Sequence, residues 1–258
     1  MEQKFLLTEG TLKIPCRLTE PVDGQPRRVV LGVHGIGGSA CDEIQAGIAE
    51  EMGLFGAAVL RFDFPAHGES PMADKELTVR NCVETVLAAA RYVRQRYETV
   101  EDLCIFATGF GAYVTLIALE ELLELPGKIK LVVQTPSVRM HDTLLAMLEM
   151  TPERFWLMSP VTIPAGRPFE VTYRFYEELR EHIALRAHPI PMLILHGDVD
   201  DYIRMADIQQ FRRINERSKL VIIPGTSHRF LEDGAWDMVL DLTRDWFEFE
   251  QVLLTDWV

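Results

Sequence analysis

Short apolar runs alternate with amphipathic stretches along most of this chain, and no other feature of the sequence limits the fold so strongly. Apolar runs with the composition of buried strands occupy residues 29–33, 57–62, 103–107, 129–133, 192–195 and 219–223. Stretches of helical character occupy residues 43–54, 78–98, 112–124, 141–149 and 235–252. Strands that alternate with helices pack as a parallel sheet with helices on both faces, so the sequence predicts an α/β fold.

Two segments add to this simple alternation. Residues 3–8 and 11–18 alternate in polarity around a Glu-Gly pair, which predicts an antiparallel hairpin at one edge of the sheet. Later, about 55 residues separate the fourth apolar run from the fifth, where a simple crossover needs far fewer. We interpret residues 136–190 as a cap insertion over the carboxyl edge of a mostly parallel, twisted sheet of about eight strands. The whole chain, residues 1–258, is expected to form one domain.

The composition narrows the partners that this chain can have. A formal net charge of −13 argues against nucleic acid and against an anionic membrane surface. The four cysteines show neither metal-binding nor disulfide spacing, and the first residues lack the pattern of a signal peptide. No apolar run approaches the roughly 20 residues of a membrane-spanning helix. We therefore expect a cytoplasmic protein without a cofactor that acts on a small molecule, and a homodimer is left open.

Residues suited to chemistry follow the predicted strands, at the edge where open α/β sheets bind ligands. The run HGIGGS, residues 34–39, comes directly after the first apolar run. Its glycines either present backbone amides to a developing oxyanion, as acyl transfer requires, or simply form a turn without a ligand. The run DFPAHGES, residues 63–70, follows the next strand and is better explained as a rigid turn.

The run ATGFG, residues 107–111, lies between a predicted strand and a helix. A nucleophile elbow carries small–x–Ser–x–Gly at such a junction, and every position fits except the central one, which is Gly109. Acidic residues then follow one strand, in the run HGDVDD, and His228 follows the next strand. This is the chain order nucleophile, acid, base. A metal site is the alternative for these residues, but no second histidine has ligand spacing to His228, so we expect no metal.

Taken in order, the motifs HGIGGS, RFDFPAHGES, ATGFGAY, HGDVDD and GTSH resemble those of the α/β-hydrolase superfamily. The similarity is greatest to its branch of serine aminopeptidases and cinnamoyl (feruloyl) esterases, and it covers nearly the whole chain from Val29 onward. The resemblance implies a carboxylic-ester hydrolase. It assigns the general base to His228 and the acid that orients its ring to Asp200, with Asp198 and Asp201 as weaker candidates.

The resemblance also implies an oxyanion hole made by the backbone amides of Ile36 and Phe110. The chain departs from the family at Gly109, which has no side chain to attack a carbonyl, and neither Thr108 nor Ser39 is placed to replace it. Loss of a triad nucleophile costs roughly 10⁶ in kcat, so covalent hydrolysis is expected to be lost or strongly reduced. Glycine adopts the strained angles of an elbow at little cost, so the turn itself is expected to persist.

Three functions therefore stay open at the level of the sequence. The chain is an ester-hydrolase scaffold whose serine is replaced, a pseudo-enzyme that binds a small acyl or aromatic ester-like ligand, or a non-covalent enzyme that uses His228 and Asp200 as its acid–base pair. The side chains expected to contact the ligand are Ser39, Phe155, Trp156 and Tyr173. The aromatic residues among them are also suited to form the core of the cap itself.

Overall fold

The computed structural model describes residues 2–21 and 25–250. Its strands are β1 (Glu2–Glu9), β2 (Leu12–Thr19), β3 (Arg28–Val33), β4 (Ala57–Phe62), β5 (Asp102–Thr108), β6 (Lys128–Gln134), β7 (Val161–Ile163), β8 (Phe169–Val171), β9 (Met192–Gly197) and β10 (Lys219–Ile223). Its helices are α1 (Glu43–Leu54), α2 (Val79–Arg96), α3 (Gly109–Leu122), α4 (Met140–Leu148), α5 (Pro152–Met158), α6 (Tyr173–Glu181), α7 (Met205–Ile214) and α8 (Ala235–Phe249).

Eight of the strands form one sheet in the order β1-β2-β4-β3-β5-β6-β9-β10. The hairpin β1–β2 pairs antiparallel to β4, and every other pairing in this sheet is parallel. The central strands are buried on both faces, which is why their sequences are continuous apolar runs rather than alternating ones. The predicted α/β fold, its opening hairpin and its sheet of eight strands are confirmed.

The apolar core lies in two layers, one on each face of the sheet. One layer packs α2 and α3 against the sheet, and the other packs α1 and α8 against it. The predicted closing helix is confirmed as far as Phe249, and its last expected residues, 251–252, lie outside the described part of the chain. The sequence did not predict α5, α6 or α7.

The segment between β6 and β9 contains α4, α5, the hairpin β7–β8 and α6, and we call residues 135–191 the inserted segment. Hydrogen bonds hold it against the helices of the main sheet. Glu178 in α6 accepts from the first backbone amide of α2, that of Val79, at 2.9 Å. The Tyr113 hydroxyl in α3 donates to the backbone carbonyl of His182 at 3.0 Å. These contacts tie the inserted segment to α2 and α3.

Candidate active site

A cavity of about 440 Å³ lies at the carboxyl ends of the central strands. Its floor consists of the loops that follow β3, β5 and β6, and one wall carries His228 from the loop after β10. Residues 163–166, at the end of β7 and the start of the turn to β8, complete the lining from the inserted segment. An alanine methyl group in this turn lies close to the glycine loop, since a Cβ built on Gly37 would be 3.3 Å from Ala165 Cβ. The volume is in the range of small-molecule sites.

The turn between β5 and α3 has the backbone of a nucleophile elbow. Thr108 is extended, with φ −116° and ψ 140°, and Gly109 follows at φ +49°, a left-handed conformation that glycine adopts without strain. Gly111 permits the tight approach of α3 to β3, because a Cβ there would lie 2.6 Å from the carbonyl oxygen of Val33 and closer still to that of His34. The backbone angle at Gly109 and the close packing at Gly111 therefore explain why the elbow contains glycine at both positions.

His228 and Asp200 are in direct contact across two loops. The Nδ1–H group of His228 donates to Asp200 Oδ2 at 2.8 Å, and the Asp200 side chain is only 1% exposed. The other carboxylate oxygen accepts the backbone amides of Tyr202 and Ile203, both at 2.9 Å. Burial acts to raise the pKa of Asp200, but the hydrogen bond and charge of His228 and the two amides outweigh it, so the pKa lies below its usual value. The carboxylate is thus held ionised beside the imidazole.

Asp198 and Asp201, the two weaker candidates for the acid, lie away from His228. Asp198 Oδ1 accepts the backbone amide of Gly225 at 2.6 Å, which ties two loops together, and Asp201 is exposed. A second histidine, His196, lies with Nδ1 3.8 Å from Asp200 Oδ2 and is buried, and burial lowers its pKa. Of the three aspartates, the structure therefore brings only Asp200 to His228.

The missing side chain of residue 109 would project towards His228. A Cβ built on Gly109 would lie 3.9 Å from His228 Nε2, 3.9 Å from Ser137 Oγ and 4.0 Å from Gly35 Cα. These are ordinary van der Waals distances, so the position has room for a side chain. A hydroxyl one bond beyond that Cβ would come within hydrogen-bonding reach of Nε2, which is the relation of nucleophile to base in a triad.

The two predicted oxyanion donors flank the same position. Ile36 follows Gly35 in the loop after β3, and among the described residues its backbone amide has no acceptor. Phe110 lies in the first turn of α3, where backbone amides have no partner within the helix and the helix dipole favours negative charge. Both residues line the cavity. That these two amides form an oxyanion hole stays a prediction.

The four side chains expected to contact a ligand do not line this cavity. Phe155 is fully buried within the inserted segment, with its ring 5.8 Å from that of Tyr173. Trp156 is 63% exposed on the outer side of α5. Ser39 is a turn residue whose hydroxyl accepts the backbone amide of Cys41 at 3.2 Å. The aromatic residues of the inserted segment pack mainly on one another, and its small turn residues line the cavity instead.

The structure adds residues that the sequence did not single out. Ser137, just after β6, lines the cavity together with Gln134 and Thr135. Thr135 has φ +42°, an unusual conformation for a β-branched residue. Tyr202 packs its ring 5.2 Å from that of His228. The only sequence signal for the first three is their place at the carboxyl end of a central strand.

The run at residues 63–70 forms the rigid turn that the sequence predicts. Asp63 accepts the backbone amides of Ala40 at 2.7 Å and of Glu69 at 2.8 Å. His34 Nε2 accepts the backbone amide of Phe64 at 3.2 Å, which links this turn to the glycine loop. Arg167 of the inserted segment donates to the carbonyl of Ser70. These contacts hold the floor of the cavity in place.

The architecture of this chain is similar to that of known proteins. The sequence matches no protein-family model and no curated protein. The structure is similar to that of Est1E from Butyrivibrio proteoclasticus with bound ferulic acid, at 20% identity over 96% of this chain and 99% of that one, with a TM-score of 0.80. The chain has the α/β-hydrolase fold.

Other structures with the α/β-hydrolase fold agree with this. Alpha/beta hydrolase domain-containing protein 10 from mouse has a TM-score of 0.75 at 16% identity, over 96% of this chain and 100% of that one. Dienelactone hydrolase from Anabaena variabilis has a TM-score of 0.65 at 19% identity, over 96% and 97%. Within residues 2–21 and 25–250, no cluster of three or more His, Cys, Asp and Glu side chains could hold a metal ion, and no helix is long and apolar enough to cross a membrane.

Proposed function

We propose that this chain is of carboxylic-ester hydrolase type, that its cavity binds a small acyl or aromatic ester-like molecule, and that covalent serine hydrolysis is lost or strongly reduced in it. One observation carries the proposal. The position of the absent side chain, the Cβ built on Gly109, lies 3.9 Å from His228 Nε2, while His228 is itself bonded to a buried carboxylate. An acid–base pair in this position can transfer protons to and from an acyl group bound above residue 109.

The surroundings of that position support the same chemistry. Backbone amides at Ile36 and Phe110 suit the oxyanion of a tetrahedral intermediate, and such donors are worth about 10²–10³ in kcat each. The Tyr202 ring and the turn at residues 163–166 give the cavity apolar surface for an acyl or aromatic group. Ferulic acid is an aromatic acid of this kind, and it is the molecule bound in the similar Est1E structure.

The substitution Gly109→Ser tests the proposal, with Gly109→Ala as the matched control. Both variants bring a Cβ into the same space at the same left-handed backbone, but only serine supplies an oxygen. We expect Gly109→Ser to hydrolyse 4-nitrophenyl acetate or methyl ferulate at least about 10³-fold faster than Gly109→Ala, and to lose the gain when His228 is also changed to alanine. A folded Gly109→Ser protein that is no faster than Gly109→Ala would contradict the proposal.

A second candidate function has its own support. His228 Nε2 faces the cavity, and a neutral imidazole whose Nδ1–H is held by a carboxylate can accept a proton at Nε2 without a covalent step. The unmodified protein would then act as a non-covalent acid–base enzyme. Turnover of an ester by the unmodified chain that disappears in His228→Ala would support it, and turnover that survives this change would exclude it.

A further inference from the structure

Apart from the chain neighbours of Gly109, the described side-chain polar atoms nearest to the position of the absent residue-109 Cβ belong to His228 and Ser137. Ser137 Oγ lies 3.9 Å from that point, the same distance as His228 Nε2. The residue is only 2% exposed, yet it lines the cavity. Within the described part of the chain, Ser137 makes its hydrogen bond through its backbone amide and none through its hydroxyl, so the hydroxyl can bind a molecule in the cavity.

The backbone around Ser137 fixes the hydroxyl relative to the elbow. The amide of Ser137 donates to the carbonyl oxygen of Gly109 at 3.2 Å. Two residues earlier, the Thr135 amide donates to Leu195 O at 2.7 Å, and Thr135 adopts the left-handed conformation noted above. Strained backbone held by hydrogen bonds is typical of functional loops. The loop after β6 is therefore held by one backbone hydrogen bond to the elbow and by another to strand β9.

We propose that a hydrolytic water binds in the space beside Gly109 that a serine side chain would fill. Ser137 Oγ and His228 Nε2 hold this water, so that this chain cleaves esters without an acyl-enzyme. The inference rests on the proposed function, because it uses the same cavity, base and oxyanion donors. A bound water needs two to four polar partners, and the Ser137 hydroxyl and the His228 imidazole nitrogen supply two, while the amides of Ile36 and Phe110 stay free for the ester oxygen. Ser137 Oγ accepts one proton of such a water while His228 Nε2 accepts the other, which leaves a lone pair of the water oxygen for attack.

The reaction balances with water as the only co-reactant. The water oxygen attacks the ester carbonyl carbon while His228 Nε2 takes one of its protons, and the carbonyl oxygen becomes an oxyanion on the amides of Ile36 and Phe110. The tetrahedral intermediate then collapses and the bond to the alcohol oxygen breaks. The leaving alkoxide takes the proton back from His228, which gives the free acid, the alcohol and the enzyme in its starting state.

The test follows 4-nitrophenyl acetate hydrolysis by the unmodified protein and by Ser137→Ala. For the unmodified protein we expect 4-nitrophenol to be released at a steady rate without a first-turnover burst, and no acetylated protein by intact mass. For Ser137→Ala we expect a kcat/KM at least about tenfold lower, because one orienting hydrogen bond is lost. Ser137→Thr, which keeps the hydroxyl, is expected to retain more activity than Ser137→Ala. Ser218→Ala is the matched control, because Ser218 is also buried but lies at the other end of the sheet, where it accepts the Met192 amide.

Each remaining outcome overturns this inference. Equal rates for the unmodified protein and a folded Ser137→Ala would show that the hydroxyl does not orient the water. An acetyl adduct would show a covalent route, and a rate no higher than that of buffer would show that no water is activated. If Ser137→Ala does not fold, the inference is tested by Ser137→Thr instead. A hydrolysis rate of Ser137→Thr as low as that of His228→Ala would reject the inference. All of these results leave the gain expected of Gly109→Ser intact, so failure here is distinguishable from failure of the proposed function.

Discussion

His228 donates its Nδ1–H to Asp200 Oδ2 at 2.8 Å, from loops that follow two neighbouring parallel strands. The carboxylate is buried and its second oxygen is saturated by two backbone amides, so it has no freedom to turn away from the ring. This fixes the imidazole with Nδ1 protonated and Nε2 as an acceptor facing position 109. A residue that neither binds ligand nor donates a proton thus determines what the histidine can do.

The first prediction concerns that carboxylate. In a Gly109→Ser background, Asp200→Asn is expected to lower kcat by about 10⁴-fold, because an amide at this place favours the wrong tautomer of His228 while preserving the shape. The measurement is ester turnover by Gly109→Ser with and without Asp200→Asn. A loss of less than tenfold would show that the contact does not serve catalysis.

The backbone at the elbow gives a second prediction. Gly109→Ala has room for its methyl group but must adopt φ +49°, so we expect it to lower the free energy of unfolding by about 1–2 kcal/mol. Gly225→Ala is the matched control, because Gly225 has φ +66° with nothing within 4 Å of a Cβ. Urea denaturation should give similar losses for the two. A much larger loss at position 109 would mean that the space beside His228 is not open.

A third prediction separates close approach from backbone angle. Gly111→Ala puts a methyl group against two carbonyl oxygens of the backbone, which cannot yield as a flexible side chain would, and is expected to cost about 3 kcal/mol or more. Gly166→Ala, where a Cβ meets nothing within 4 Å, should change stability by less than about 0.5 kcal/mol. Equal stabilities of the two variants in urea would refute the packing of α3 on β3.

The fourth prediction is a pH dependence. His67 is buried beneath the inserted segment with its ring 4.4 Å from that of Phe169, and burial, with lesser effects of His34 and Arg167, lowers its pKa to about 3. The unfolded chain therefore binds a proton below about pH 6.5 that the folded protein does not. Stability should fall as the pH drops from about 6.5 towards 3, by up to about 1.4 kcal/mol per pH unit from this residue.

His67→Gln removes this titration and provides the check. Urea unfolding of both proteins between pH 4 and pH 7 should show a steeper loss of stability with acid in the unmodified protein. Parallel curves for the two would show that His67 takes up its proton in the folded state as readily as in the unfolded one.

The sequence was informative wherever the chain itself sets the geometry. Apolar runs predicted the central strands because a strand buried on both faces must be apolar at every position. Small residues around Gly109 predicted the elbow because a tight strand-to-helix turn excludes side chains. The contact of Asp200 with His228 was expected only from the resemblance, since a bond between residues 28 positions apart depends on how two loops meet.

The sequence was less informative where contacts are decided by packing between distant segments. Phe155 and Tyr173 were expected at the ligand because they are aromatic, but each finds its partner within the inserted segment. Ser137 was missed because a serine after a strand has no distinctive signal, and only the fold brings its hydroxyl to the place beside Gly109. The lining of the cavity by residues 163–166 likewise follows from the docking of the whole inserted segment.

We infer that this site lacks only the hydroxymethyl side chain of its nucleophile, and covalent labelling tests this most directly. A fluorophosphonate reacts when an activated serine oxygen displaces fluoride from phosphorus, and intact mass with peptide mapping locates the adduct. We predict one adduct on Ser-substituted residue 109 in Gly109→Ser, and none in the unmodified protein, in Gly109→Ala or in Gly109→Ser with His228→Ala. A folded Gly109→Ser protein that stays unlabelled, or an unmodified protein that is labelled at another residue of the cavity, would contradict the claim.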